Sequence, residues 1–113
     1  SVIITYSNEA KISLAGVNAS IIHEHGAVSE QTALALASGY LHKSGIDLVV
    51  SITGVAGPDG GSFEKPVGTV CFGITSRFRS KTHREFFDGD RNSIRQQATI
   101  FALRLLLSFE KDF

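Results

Sequence analysis

Ile46-Asp47-Leu48-Val49-Val50-Ser51-Ile52 is almost unbroken in apolar residues and opens directly into Thr53-Gly54-Val55-Ala56-Gly57-Pro58-Asp59-Gly60-Gly61. A run of this kind reads as a strand buried on both faces, which requires helices to cover both sides of a sheet. Helix patterns flank the run. Ser29 can cap a helix to about Lys43 with Ala33, Ala37, Tyr40 and Leu41 on one face, and Gly45 can end it. From Asn92 to Glu110, the residues Ile94, Ala98, Phe101, Ala102, Leu105 and Phe109 form a wide apolar stripe. Val2 to Tyr6 reads as a strand, Glu9 to Leu14 and Ala19 to Glu24 as short helices, and Val67 to Thr75 with Lys81 to Phe87 as a hairpin. The expected fold is α/β: a three-layer α/β/α sandwich around a mixed, mostly parallel sheet.

Composition narrows the function classes. The chain has 113 residues, sized for one domain, and eleven Lys+Arg balance eleven Asp+Glu. No whole-chain field exists to attract nucleic acid. No apolar run is long enough for a membrane span, and no secretory leader pattern is present. The single cysteine, Cys71, has no internal partner, which suits a reducing cytoplasm. Methionine is absent and Ser1 enters a strand pattern at once, so residues are expected in front of it.

Three segments carry candidate chemistry. Four glycines in the nine residues from Thr53 to Gly61 permit positive φ and close backbone approach, and successive N–H groups in such a turn can form an anion nest. Taken alone this is also an ordinary long turn between strands, and it matches neither the phosphate-loop nor the dinucleotide-binding pattern. Tyr6 ends the first strand and Lys11 follows on a short helix. A lysine whose pKa is lowered by apolar or cationic neighbours can act as a general base, whereas most helical lysines are simply solvated. Arg91 stands at a helix start, against the macrodipole preference, and Arg91 or Arg95 could clamp a phosphate or else pair with Asp88 or Asp90. His23-Glu24-His25 lacks metal-ligand spacing, so neither a metal nor a cofactor is expected. Cys71 reads as a small core hydrophobe. Arg77, Arg79, Lys81 and His83 alternate and read as a solvated sheet edge.

Five stretches, in order, resemble the nicotinamide-nucleotide amidases, which also occur as the C-terminal domain of the competence- and damage-inducible protein CinA. They are Tyr6-Ser7-Asn8-Glu9-Ala10-Lys11, Gly26-Ala27-Val28-Ser29, Thr53 to Gly61, Glu64-Lys65-Pro66-Val67-Gly68-Thr69-Val70, and Gly89-Asp90-Arg91 leading to Arg95-Gln96-Gln97-Ala98. The resemblance covers nearly the whole chain. It implies hydrolysis of the carboxamide of nicotinamide mononucleotide to nicotinic acid mononucleotide and ammonia by a serine–lysine mechanism. Lys11 would be the base and Tyr6 would position it or relay the proton. Thr53 and the amides around Gly54, Ala56 and Gly57 would hold phosphate or oxyanion, and Arg91 or Arg95 would meet the phosphate. The family's serine lies in a Glu-Ser-Cys-Thr-Gly-Gly motif on an N-terminal strand and helix, and these 113 residues contain no such motif. Residues 1–113 are therefore expected to be an amidase domain without that strand and helix. By itself such a domain would be inactive, or would serve as a noncatalytic nucleotide-binding module. A homodimer is also expected, with the apolar final helix and the tail to Phe113 as its contact.

Overall fold

In a computed structural model, the structure describes residues 2–4, 18–45, 47–54, 63 and 65–111. The expected helix at Glu9 to Leu14, the candidates Tyr6 and Lys11, and the turn residues Ala56 and Gly57 lie outside the described residues. Among the described residues seven elements follow one another: β1 (Val2–Ile4), α1 (Ala19–His25), α2 (Glu30–Ser44), β2 (Leu48–Gly54), β3 (Thr69–Ser76), β4 (Ser80–Phe86) and α3 (Arg91–Lys111). The fold is mixed α/β, and its strands lie in one sheet in the order β1-β2-β3-β4.

The helix limits follow from cap chemistry. The Asn18 side chain accepts from Ser20 N–H at the start of α1, and Gly26 closes that helix at φ +88°. Ser29 Oγ accepts from Thr32 N–H at 3.0 Å, and Gly45 ends α2 in the left-handed region with its N–H on the Leu41 carbonyl. Asp90 Oδ1 accepts from Ser93 N–H at 2.8 Å, so α3 begins at Arg91 under an acidic cap.

The mostly parallel sheet expected above is not what the described strands form. β1 pairs with β2 in parallel, Val2 opposite Val50, but β2–β3 and β3–β4 are antiparallel. A three-residue turn joins β3 to β4 and allows only an antiparallel return, whereas β1 reaches β2 through α1 and α2, a connection long enough for a parallel crossover. β2 also sits two residues later than expected: Thr53 and Gly54 belong to the strand, opposite Cys71 and Val70.

Side chains alternate between two environments along β2 and β3. Val50, Ile52, Val70, Phe72 and Ile74 join Ile94, Ala98, Ala102 and Phe109 of α3 in one apolar cluster. Phe101 meets Phe72 edge-on with 4.8 Å between centroids. On the opposite face the Ser51 hydroxyl donates to the carbonyl of Ala33, so α2 rests directly on the sheet backbone there. A methyl group added at Gly73 would overlap the same Ala33 carbonyl and lie 2.7 Å from Leu34 N. Glycine at 73 thus sets how closely α2 approaches.

Two members of the expected solvated edge are partly buried against α3. Arg79 donates to the Phe109 carbonyl at 3.0 Å and lies 4.1 Å above the Phe109 ring, while the His83 ring packs 5.9 Å from Phe101. Long side chains at the sheet margin cover the otherwise bare end of α3, and the guanidinium complements its C-terminal carbonyls. No helix among the described residues is long and apolar enough to cross a membrane.

Candidate active site

The described residues of four motif stretches, separated in the sequence, meet at one end of the sheet. Thr53, 3% exposed at the last turn of β2, donates from Oγ1 to the Ala27 carbonyl at 2.8 Å. Lys65 Nζ donates to the His25 carbonyl at 2.9 Å. Between them the Gly26 carbonyl accepts from Ser29 Oγ at 3.0 Å and from Thr32 Oγ1 at 2.6 Å. Residues 25–29 are therefore an ordered turn, held from one side by the strand and from the other by the segment entering β3. Only glycine fits at position 26, because φ is +88° and the Lys65 ammonium would stand 3.1 Å from a side chain.

The fifth stretch arrives at the same end by topology. β4 runs in the direction of β2, since each is antiparallel to β3, and Phe86 at its end lies opposite Thr69 while Val70 lies opposite Gly54. The loop after β4 thus delivers Arg91, at the start of α3, to the carboxyl end of β2. Gln97 Nε2 braces that loop by donating to the Asp88 carbonyl at 2.8 Å, and Gly89 takes φ +121° beneath Ser93. Gly68, at φ +100°, accepts from Phe87 N–H through its carbonyl and links the fourth stretch to the fifth. Arg91 and Arg95 are both exposed, one turn apart on α3. The N-termini of α2 and α3 consequently converge on the end of β2, a polarity that favours anionic groups there.

Thr53, Gly54, Arg91 and Arg95 thus share one end of the sheet, while Tyr6, Lys11, Ala56 and Gly57 lie outside the described residues. The sequence reading missed Lys65 and Thr32 as binding-turn anchors. Lys65 lies within a motif stretch and Thr32 three residues beyond one, but a bond from Lys65 to a carbonyl 40 positions away leaves no periodic signature. Replacing Thr53 by valine keeps the shape and takes the hydroxyl donor from the partly buried Ala27 carbonyl. A loss of about 1–3 kcal/mol is expected in urea unfolding, and a change below about 0.3 kcal/mol would deny the bond any importance.

Cys71 stands on the α2 side of β3, 1% exposed. Burial pushes its thiol above the ordinary range, outweighing the opposite effect of the Arg84 charge. A buried, protonated thiol is a poor nucleophile. Thiol-reagent labelling of the native protein should run on the order of 10³-fold slower than in denaturant, and equal rates would contradict the burial.

A family model described as the CinA C-terminal domain matches residues 1–109. The chain belongs to the CinA C-terminal domain family. Within it, the chain is 52% identical over 104 residues to the nicotinamide-nucleotide amidohydrolase PncC of Escherichia coli K12, covering 91% of this chain and 63% of that protein. It is 50% identical over 105 residues to PncC of Enterobacter agglomerans, covering 92% and 64%. A CinA-like protein of Leptospira biflexa is 50% identical over 104 residues, covering 91% and 25%. Among solved structures, the competence/damage inducible protein CihA of Agrobacterium tumefaciens superposes with a TM-score of 0.89 at 40% identity, over 94% of this chain and 66% of that one. The chain therefore spans somewhat under two thirds of the length of the PncC relatives, and a quarter of the CinA-like protein.

Proposed function

We propose that this CinA-family chain is the greater part of a nicotinamide-nucleotide amidase domain, and that the complete protein hydrolyses the carboxamide of nicotinamide mononucleotide to the carboxylate and ammonia. The observation that carries this reading is the convergence of four motif stretches, Gly26 to Ser29, Thr53 with Gly54, Lys65 to Val70 and Gly89 to Gln97, on the end of β2. Open α/β sheets bind ligands at that end. The PncC name of its relatives supplies the substrate class.

In this reading Lys11 takes the proton of a serine hydroxyl, the serine oxygen attacks the amide carbon, and the amide nitrogen departs protonated as ammonia. Water then releases nicotinic acid mononucleotide from the acyl-enzyme. Tyr6 holds Lys11 or relays its proton. Thr53, Gly54, Ala56 and Gly57 border the oxyanion or the phosphate, and Arg91 or Arg95 meets the phosphate. No cofactor, metal, nucleic acid or membrane takes part. The complete domain is a three-layer α/β/α sandwich acting in the cytoplasm as a homodimer.

Ammonia release from nicotinamide mononucleotide by the full-length protein tests this reading, with Arg91→Ala and Arg95→Ala measured beside it. Turnover that falls in one arginine variant mainly through a raised KM is expected. Nucleotide binding without any ammonia, under conditions where a PncC enzyme turns over, would leave a noncatalytic binding module in its place.

A further inference from the structure

β4 is an outer strand: among the described residues only β3 pairs with it. Phe87 N–H bonds the Gly68 carbonyl at 2.9 Å and Ser76 N–H bonds the Arg79 carbonyl at 2.8 Å. Alternation from these two points turns the backbone groups of Lys81, His83 and Glu85 toward β3 and those of Ser80, Thr82, Arg84 and Phe86 outward. The side chains alternate as well. His83 faces Phe101 of α3, whereas Thr82 Oγ1 donates to Glu30 of α2 at 3.0 Å.

We propose that a second copy of this chain pairs antiparallel along this edge, with His83 facing its own counterpart on the twofold axis. The inference takes up the two-copy assembly proposed above and specifies its surface. In this register the outward groups of Thr82 meet those of Arg84 of the partner subunit, and Ser80 meets Phe86 of the partner subunit, as hydrogen-bonded pairs. Lys81 then falls opposite Glu85 of the partner subunit at a non-hydrogen-bonded position, where side chains approach most closely. Symmetry makes that ion pair twice. Phe78 and Phe86 are 83% and 57% exposed, and the same register places Phe86 of the partner subunit diagonal to Phe78 at each end of the seam.

Neighbouring registers lose this match. A slip of two residues one way sets Arg84 against itself. The opposite slip sets Lys81 against His83 and asks Glu85 to meet Arg79, whose guanidinium is already on the Phe109 carbonyl. Charged edge strands ordinarily resist pairing. Here the paired Lys81–Glu85 contacts favour this register over its two neighbours.

Sedimentation equilibrium of the purified protein should give twice the chain mass. Lys81→Glu should raise the dimer dissociation constant about tenfold or more by opposing two carboxylates at both ends of the seam. The charge-swapped double variant K81E/E85K should return it to within about threefold of the original. His83→Cys should form a disulfide-linked dimer on mild oxidation, while Thr82→Cys should not. A monomer at all concentrations would remove the two-copy assembly altogether. A dimer indifferent to Lys81→Glu, without cross-linking at His83→Cys, but dissociated by Leu103→Lys would overturn the edge alone. It would place the contact on the exposed Ile100, Leu103 and Leu107 of α3.

Discussion

Lys11→Ala in the full-length protein is expected to lower kcat for nicotinamide mononucleotide hydrolysis about 10³-fold or more, with KM changed by less than about threefold. A serine hydroxyl is nearly inert at neutral pH unless a neighbouring base takes its proton, and in the proposed mechanism Lys11 is that base, so its loss should strike the chemical step and spare binding. The anion-favouring end of β2, where Thr53 closes on Ala27 and the helix N-termini converge, does not depend on Lys11 and should continue to hold the nucleotide. Measuring kcat and KM separately distinguishes the two contributions. A parallel rise in KM would make Lys11 a binding residue, and unchanged kcat would remove it from the mechanism.

Gly73→Ala is expected to cost about 3 kcal/mol or more in urea unfolding, the largest stability effect for a single added methyl group among the described glycines away from positive φ. The new methyl meets backbone atoms of Ala33 and Leu34, which cannot rotate aside as a side-chain tip would. The whole of α2 has to lift from the sheet, and the Ser51–Ala33 bond goes with it. Stability of a domain of this size is about 5–15 kcal/mol, so Gly73→Val should leave little folded protein. A change within about 0.5 kcal/mol for Gly73→Ala would mean that α2 is far less tightly seated.

Both variants bear on how much of the molecule could be read from its residues alone. The periodic features were legible. The stripe on α3 is the apolar cluster face, β2 is buried on both sides, and Ser29 and Gly45 limit α2 as their cap chemistry requires. Contacts between distant residues were not. Arg79 looks like one more cation on an alternating edge, and only the folded chain brings it to Phe109, 30 positions away. Gly73 looks like a weak point in a strand until Ala33 is seen against it. The β3–β4 hairpin is legible from its short polar turn, whereas the antiparallel pairing of β2 with β3 is not, because helix-strand alternation suggests crossovers and the stretch between those two strands carries no tight-turn signal.

For the site, recognition of the motif stretches carried further than the chemistry of any one residue. Thr53 was identified within its glycine-rich stretch, but its strand position and its bond to Ala27 depend on the register with Cys71. Lys65 stood inside a quoted stretch without a role, because its partner is a carbonyl and every residue carries one. Tyr6 and Lys11 rest on the family resemblance.

The anchoring of α3 by Arg79 separates two tasks along a single rod. The guanidinium fastens the far tip at Phe109, while the near tip starts at Arg91, beside the candidate substrate end. A lever pinned at its distant end can be loosened without disturbing the atoms that meet the ligand. Mutational drift near Phe109 would then register as a lower melting temperature in a protein whose substrate preference is intact, and drift near Arg91 as the reverse.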